Sequence, residues 1–486
     1  MHLVLEIVGS NLHEELEAHR LEIVYDLEKR FLNVELSDEQ IQALLSIINF
    51  IHSDKSEFVL SGCAGTGKSL VTKLVVRYLE AINKVYLLAT PTNKACGILS
   101  KYTERDVTTL HKLLYLKPSI DILKLDFKDL QWNTESASSG IPLNGVLIID
   151  ECSMINSDLY EFLIEKAKNN QSKILFIGDS KQLYPVKERS LSKPFKCESH
   201  FELTQIHRQK NSSPILDVLT ELRTKPILIF NEIRSNNGNL YIYNNWRTLL
   251  KNNLESFNNA VNTKNPELIK LLAYTNKRVE AFNQVIRKAV FNDELEYHVG
   301  DILMGYDNSN YKESGSRGLG FDIMNSEEFV VLNVFEGRQT IGFSTVKGYY
   351  LTLQSLNNNY KPGTVFIISR DNSQKDFDTI AAYIELLRLD AIRCKNKRIQ
   401  GKLWKDYFNV LESFLTPYDL VYDGRIVRKK SLDYGYCISV HKSQGSNYNN
   451  VLVDMNNLFI CRNKEELRQL QYVALSRTRN DVSLLM

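Results

Sequence analysis

The segment EFVLSGCAGTGKSLVTKLVVRYLEAI, residues 57–82, indicates the fold class of this chain. It starts with a short apolar run, passes through a glycine-rich loop, and continues with apolar residues at helical spacing. Runs that are apolar throughout predict strands buried on both faces, as in a parallel sheet covered by helices. Three more such runs follow: KVYLLAT (84–90), GVLIID (145–150) and KILFIGD (173–179). The sequence therefore predicts an α/β domain over residues 36–225.

The composition is typical of a globular protein with several domains. A chain of 486 residues with 43% apolar residues suits two to four cores. It has no apolar run long enough for a membrane span, and its N-terminus lacks the features of a secretory signal. Seven cysteines without metal-ligand spacing predict reduced thiols in the cytoplasm and no zinc site. The net charge of +2 neither supports nor excludes a nucleic-acid partner.

A second α/β pattern begins at ELIKLLAYTN (267–276), breaks off after residue 291 and resumes at YGYCISVHKS (434–443). We predict a second α/β domain from residues 226–293 and 430–486, interrupted by an inserted domain at 294–429. The insertion contains two helical stretches after short β-rich pieces that suggest a small barrel. These pieces are FVVLNVF (329–335), TIGFSTV (340–346), GYYLTL (348–353) and GTVFIIS (363–369).

A phosphate-binding loop is predicted at GCAGTGKS, which fits the pattern GxxxxGK[ST] between a strand and a helix. Its glycines allow backbone N–H groups to converge on phosphates at the helix N-terminus. We expect Lys68 to contact the β- and γ-phosphates of ATP and the Ser69 hydroxyl to ligate Mg²⁺. The predicted nucleotide-binding residues of this loop are Gly62, Cys63, Ala64, Gly65, Thr66, Gly67, Lys68 and Ser69.

Acidic residues follow two of the predicted strands, at the edge where open α/β sheets bind their ligands. Adjacent buried carboxylates are costly unless they have a partner. We expect Asp150 to hold Mg²⁺ through water and Glu151 to orient or deprotonate the attacking water. In IGDSKQLYPV, Asp179 and Gln182 are placed to sense the γ-phosphate and relay its loss, or they could belong to a plain polar loop.

The tetrapeptide SDEQ, residues 37–40, has the pattern of a helix capping box. Gln40 could recognise the adenine edge through its amide, or it could be an ordinary capping residue. All these features belong to any P-loop NTPase, so they do not separate a motor from a kinase.

Four further segments resemble motifs of the superfamily 1 helicases, specifically the RecD-like branch (superfamily 1B) and, within it, the Dda-like helicases of phages. ATPTNKAC (89–96) and TLHKLL (109–114) resemble motifs Ia and Ib, and SVHKSQGS (439–446) and YVALSRTR (472–479) resemble motifs V and VI. The resemblance covers residues 36–290 and 430–486. It implies two RecA-like domains in tandem that use ATP and Mg²⁺, with a small pin insertion at 115–142 and an SH3-like barrel with helices at 294–429.

The resemblance also assigns roles to single residues. Arg477 and Arg208 are the candidate cations that stabilise the transferring phosphoryl group, and Gly445 is expected at the nucleotide. Short polar side chains at strand ends can bond phosphate oxygens without reading bases, although each could also be a loop or cap residue. The predicted strand-contact residues are Thr90, Pro91, Thr92, Asn93, His111, Asn276, Ser439, His441, Lys442 and Gln444, with Phe127 as the pin aromatic. Trp132 is the other pin candidate, and either aromatic could instead be a core residue.

The resemblance implies a DNA helicase that moves 5′→3′ on single-stranded DNA and at forks, in phage replication or recombination. We expect a monomer in the cytoplasm, which is the host's if a phage encodes it, with a single-strand-binding protein as a candidate partner. Two alternatives stay open: an RNA helicase, and a module that mainly recruits or remodels a replication complex. The first 35 residues have no recognised counterpart.

Overall fold

The computed structural model describes residues 36–115, 117–119, 131–133, 140–185, 188–205, 214–312, 320–356 and 361–486. The chain forms two compact units. The first unit contains Met1–Leu116, Thr134–Pro226 and Arg468–Ser476, and the second contains Lys117–Asn133, Ile227–Leu467 and Arg477–Met486.

A parallel sheet is the centre of the first unit. Its six strands have the order β3-β2-β6-β7-β1-β8, and every neighbouring pair is parallel. The antiparallel hairpin of β4 and β5 belongs to the second unit. In chain order the elements up to residue 222 are α1 (Asp38–His52), β1 (Glu57–Gly62), α2 (Lys68–Ala81), β2 (Tyr86–Thr90), α3 (Asn93–Thr103), β3 (Val107–Thr109), α4 (Leu110–Leu113), β4 (Lys117–Ser119), β5 (Gln131–Asn133), β6 (Val146–Ile149), α5 (Ser157–Asn169), β7 (Lys173–Gly178), β8 (His200–Leu203) and α6 (Pro214–Leu222).

Both faces of this sheet are buried, which explains the continuous apolar runs. In β6, Val146 and Ile148 join the core formed with α1, α2 and α3. Their neighbours Leu147 and Ile149 point to the opposite core, formed with α4 and α5. The predicted buried parallel strands are therefore confirmed.

The second unit contains another parallel sheet, with the strand order β20-β10-β21-β22-β9. The edge strand β9 was not recognised from the sequence, although LYIY between asparagines is a strand signal. The remaining elements are β9 (Leu240–Tyr243), α7 (Trp246–Asn262), β10 (Ile269–Ala273), α8 (Asn276–Phe291), β11 (Ile302–Gly305), β12 (Ser309–Tyr311), β13 (Phe321–Ile323), β14 (Glu328–Ile341), β15 (Ser344–Ser355), β16 (Gly363–Ile368), α9 (Gln374–Arg393), α10 (Lys397–Glu412), β17 (Leu420–Tyr422), β18 (Arg425–Arg428), β19 (Leu432–Tyr434), β20 (Cys437–Ser439), β21 (Tyr448–Asp454), α11 (Met455–Leu458), α12 (Lys464–Ser476) and β22 (Thr478–Leu485).

An antiparallel sheet with the order β16-β15-β14-β11-β19 interrupts the second α/β pattern. The two expected helices are present as α9 and α10, and the SH3-like closure of the sheet stays a prediction. The β-rich piece TIGFSTV contains the end of β14 and the start of β15. Ile341 pairs with Ser344, and Gly342 between them has φ 59°, so this segment is the turn of the β14–β15 hairpin. Because β19 pairs with β11, this sheet includes residues up to Tyr434.

The C-terminal part of α12 packs within the first unit. The Arg468 guanidinium donates to the carbonyl of Leu222 at 3.0 Å, and Leu470 and Val473 are fully buried. Across the described residues, no helix combines the length and the apolar character that crossing a bilayer requires.

Candidate nucleotide site and strand-contact residues

The loop between β1 and α2 has a backbone that only glycine adopts without strain. Gly65 and Gly67 have φ angles of 88° and 90°, in the left-handed region. A Cβ at Gly67 would lie 2.1 Å from the amide nitrogen of Gln40. Glycine is therefore needed at position 67 both for the turn and for the close approach of Gln40.

Lys68 closes the loop on itself. Its ammonium donates to the carbonyls of Gly62 at 2.6 Å and Cys63 at 3.0 Å, while the Thr66 hydroxyl donates to the Cys63 carbonyl at 2.9 Å. Ser69 is exposed in the first turn of α2. The loop thus places a cation and a hydroxyl beside the N-terminus of a helix, which is the arrangement that attracts phosphate.

Gln40 has two structural roles in this site. The Ser37 N–H donates to Gln40 Oε1 at 3.1 Å and the Gln40 N–H donates to Ser37 Oγ at 3.3 Å, so the predicted capping box is confirmed. Gln40 Nε2 also donates to the Thr66 carbonyl at 3.1 Å. This contact with the phosphate loop was not foreseen. Recognition of adenine by Gln40 stays a prediction.

The predicted acidic residues follow β6 and β7, which are neighbours, and β7 also pairs with β1. Because β6, β7 and β1 are adjacent and parallel, Asp150, Asp179 and the phosphate loop lie at the same edge of the sheet. The Glu151 N–H donates to Asp150 Oδ1 at 2.8 Å. Burial raises the pKa of the Asp150 carboxyl, while that N–H and the Lys68 ammonium oppose the rise. A cation beside this carboxylate would favour its charged form.

Asp179 is linked to a residue that sequence analysis had not given a role. The Tyr472 hydroxyl donates to Asp179 Oδ2 at 2.7 Å and accepts the N–H of Ala64 at 3.4 Å. The backbone of the Asp179 turn continues to Gln182, whose N–H donates to the Asp179 carbonyl at 3.3 Å. The only signal in the sequence was that a buried tyrosine needs a partner for its hydroxyl.

Of the two candidate arginines, Arg477 lies within the described residues and Arg208 does not. Arg477 belongs to the second unit and is 4% exposed, and its guanidinium donates to the Ser446 carbonyl at 3.2 Å. Gly445, directly before Ser446, has φ 71°. Arg208 lies outside the described residues. That either arginine acts as an arginine finger, a cation that stabilises the transferring phosphoryl group, stays a prediction. The nucleotide contact of Gly445 also stays a prediction.

The strand-contact candidates of the first unit lie in the turn after β2 and in α4. The Thr90 hydroxyl donates to the Thr92 carbonyl at 2.8 Å, and Thr92 Oγ1 accepts the Ala95 N–H at 3.2 Å as the cap of α3. Thr92 is therefore the N-cap of α3, whereas Thr90, the last residue of β2, bonds the backbone of the turn. Pro91, Asn93 and His111 are half-buried, and burial lowers the pKa of His111.

The candidates of the second unit follow β10 and β20, which are parallel neighbours. Asn276 is exposed, whereas Ser439, His441 and Lys442 are half-buried and Gln444 is buried. Ser439 Oγ accepts the Lys442 N–H at 3.3 Å, and the His441 ring lies 6.1 Å from that of Tyr274.

The ammonium of Lys442 makes contacts within the protein that the sequence did not predict. Its ammonium donates to Asn325 Oδ1 at 2.9 Å and to the Gly305 carbonyl at 3.3 Å, and lies 4.0 Å from the centroid of Tyr306. Burial, together with the charge of Lys430, lowers the pKa of Lys442 to about 7.

Phe127 and Trp132 are the two aromatic candidates for the pin. Phe127 lies outside the described residues, and Trp132 lies in β5. The pin itself stays a prediction.

Two segments of the chain match known protein families, and most of its length is similar to known helicases. Residues 35–233 match the AAA domain family and residues 434–485 match the UvrD-like helicase C-terminal domain. The ATP-dependent DNA helicase Dda of Enterobacteria phage T4 is 25% identical over 92% of this chain and 98% of its own. The ATP-dependent RecD2 DNA helicase of Deinococcus radiodurans is 31% identical over 32% of this chain and 20% of its own. The chain is an ATP-dependent DNA helicase.

The Pif1 helicase from Candida albicans is a solved structure similar to this helicase, with a TM-score of 0.45 and 17% identity over 93% of this chain and 94% of that one. In the helicase, the UvrD-like match contains Gly445, Tyr472 and Arg477. Tyr472 thus lies in the segment that matches the UvrD-like helicase C-terminal domain, and it contacts the phosphate loop.

Proposed function

We propose that this helicase hydrolyses Mg²⁺-ATP to move 5′→3′ along single-stranded DNA and to unwind duplexes at forks. The observation that carries the proposal is the contact of Tyr472 with Ala64 and Asp179. It joins a helicase motif to the phosphate loop and to the turn that holds Gln182. A nucleotide kinase would have no need for such a link from a distant motor motif.

The residues of the first unit fit a triphosphate. Lys68 bonds two carbonyls of the loop, and from there its charge would attract the β- and γ-phosphates. The glycine backbone leaves room for the approach of phosphate oxygens. Glu151, after β6, would orient the attacking water, and Gln182 would respond to the γ-phosphate.

The donor set at Asp150 also fits Mg²⁺. Among the described residues, no group of three His, Cys, Asp or Glu side chains could hold a metal ion, so a magnesium ion here would depend on oxygens of the nucleotide as well. Asp150 and the Ser69 hydroxyl would be the protein's contribution. Mg²⁺ would neutralise charge on the phosphates as the terminal bond breaks.

The DNA substrate is inferred from the names of relatives, and the direction of movement from the resemblance of the motifs to the RecD-like branch. Both the phage T4 relative and the Pif1 of Campylobacter jejuni, 24% identical over 87% of each chain, are named as ATP-dependent DNA helicases. The motifs that would hold the strand offer short hydroxyl and amide groups, which suit contacts to the backbone of any sequence.

The test is unwinding of a duplex that carries either a 5′ or a 3′ single-stranded tail, with ATP and Mg²⁺. We expect strand separation with the 5′ tail alone, and none when Lys68→Ala replaces the wild type. Unwinding of only the 3′-tailed duplex would contradict the direction, and ATP hydrolysis by Lys68→Ala at the wild-type rate would contradict the site. Stimulation of ATP hydrolysis by RNA but not DNA oligomers would favour the RNA alternative.

A further inference from the structure

Tyr472 joins three parts of the first unit that are far apart in sequence. Its hydroxyl lies 2.7 Å from Asp179 Oδ2, a partner 293 residues away, and 3.4 Å from the nitrogen of Ala64. The side chain is 1% exposed. A single phenol therefore bonds both the turn after β7 and the phosphate loop after β1.

The direction of these bonds is fixed by charge. Burial and the neighbouring Asp179 carboxylate raise the pKa of Tyr472 well above its usual value, so the phenol keeps its proton. It donates this proton to the carboxylate and accepts the amide N–H. The other carboxylate oxygen of Asp179 accepts the Lys181 N–H at 2.9 Å. A movement of Tyr472 would therefore displace the turn that carries Gln182.

Tyr472 also lies on a helix that is fastened to the first unit. Arg468, one turn earlier in α12, donates to the Leu222 carbonyl at 3.0 Å. One turn after Tyr472, α12 ends at Ser476, and the next residue in the chain is Arg477. The C-terminal part of α12 is thus bonded to Leu222 through Arg468 and to the phosphate loop through Tyr472.

We propose that the Tyr472 hydroxyl is a positioning group that makes the rate of ATP turnover depend on the bound single strand. The inference rests on the proposed function. A strand held by residues of the later motifs would shift α12, and the hydroxyl would transmit the shift to Ala64 and to the turn at Asp179.

The experiment compares ATP hydrolysis with and without an oligo(dT) single strand in the full chain. Tyr472→Phe keeps the ring and removes the two hydrogen bonds. Because a hydrogen bond to a charged group has a large net effect, we expect the ratio of stimulated to basal kcat to fall about tenfold. The KM for ATP should change less than about twofold, because no predicted phosphate ligand is removed.

Tyr160→Phe is the matched control. The Tyr160 hydroxyl also donates to a carboxylate at 2.7 Å in the same unit, but its partner Glu57 lies at the opposite end of β1 from the phosphate loop. The control should leave the stimulation ratio unchanged. Equal loss of stimulated and basal rates in Tyr472→Phe, or no loss in either, would overturn the inference.

Asp179→Asn provides a second, independent variant. If the contact acts as one unit, Asp179→Asn alone should lower the stimulation ratio, and adding Tyr472→Phe should lower it by less than about twofold more. Fully multiplicative losses would show that the two residues act separately. A wild type that no DNA or RNA strand stimulates would instead overturn the proposed function, so the two failures are distinguishable.

Discussion

At the scale of single residues, position along a sheet edge explains most of the candidate site. Asp150 and Asp179 follow adjacent parallel strands, so the backbone alone brings them to the phosphate loop. Arg477 and Lys442 are different, because a long basic side chain in a loop is usually exposed. Both are instead held by backbone carbonyls, Arg477 by Ser446 and Lys442 by Gly305. These contacts make specific tests possible.

Arg477→Ala should lower kcat for ATP about a thousandfold while changing ATP affinity much less, since a finger acts on the charge that develops in the transition state. Steady-state ATP hydrolysis and binding of a fluorescent ATP analogue measure the two effects. Arg479→Ala is the control, because Arg479 is 45% exposed and pairs with Glu267 at 2.9 Å. An equal loss of affinity and turnover in Arg477→Ala would argue against the finger role.

Lys442 should make stability depend on pH in a defined window. Its folded-state pKa of about 7 lies below the unfolded value of 10.5, so between these values the unfolded chain binds the extra proton. The free energy of unfolding should therefore rise with pH through this window. Below about pH 7, Lys442 is charged in the folded protein, and its destabilising effect should be at its maximum. In urea titrations, the free energy of unfolding of the wild type should rise relative to that of Lys442→Met between pH 7 and 9. Lys288→Met, at an exposed position, is the control, and parallel curves for wild type and Lys442→Met would contradict the assignment.

At the scale of elements, a buried ion pair fastens the inserted sheet to the parallel sheet of the second unit. Lys270 on β10 donates to Glu328 on β14 at 2.7 Å and to the Gly435 carbonyl at 2.6 Å. Both side chains of the pair are 1% exposed. Neither strand pattern alone predicts the pair, because β10 reads as a purely apolar strand apart from this lysine.

Lys270→Met should destabilise the protein by about 3–5 kcal/mol, since it leaves a buried carboxylate without its cation. Lys270→Met with Glu328→Gln should recover much of the loss. The midpoint of urea unfolding measures both. Lys312→Met breaks a pair of the same 2.7 Å length, with Glu412, whose side chains are 43% and 28% exposed, and should cost less than about 1 kcal/mol. Similar losses in the two single variants would show that burial does not decide the effect.

At the scale of the whole molecule, the net charge of +2 means that any grip on a strand needs locally concentrated basic and amide groups. A motor must also hold every sequence alike. Contacts to phosphate and sugar meet both requirements, and their strength falls with salt because counterions are released.

Binding of fluorescent single strands should therefore weaken linearly on a plot of log K against log salt. Oligo(dT) and a mixed-sequence DNA of equal length should bind within a few-fold of each other. Fluorescence anisotropy over a salt series measures both, with an equal-length RNA as the comparison for the alternative substrate. A large preference for one base sequence, with little salt dependence, would contradict a backbone-directed grip.

The sequence by itself determined what depends on local pattern. Continuous apolar runs predicted buried parallel strands, glycines in GCAGTGKS predicted the phosphate loop, and SDEQ predicted the capping box, because each depends on neighbours only a few residues away. The tertiary structure decided the partners of Tyr472, the burial of Lys442 and the place of β9 beside β22. These depend on groups brought together across long loops, where no periodicity specifies which side chain meets which.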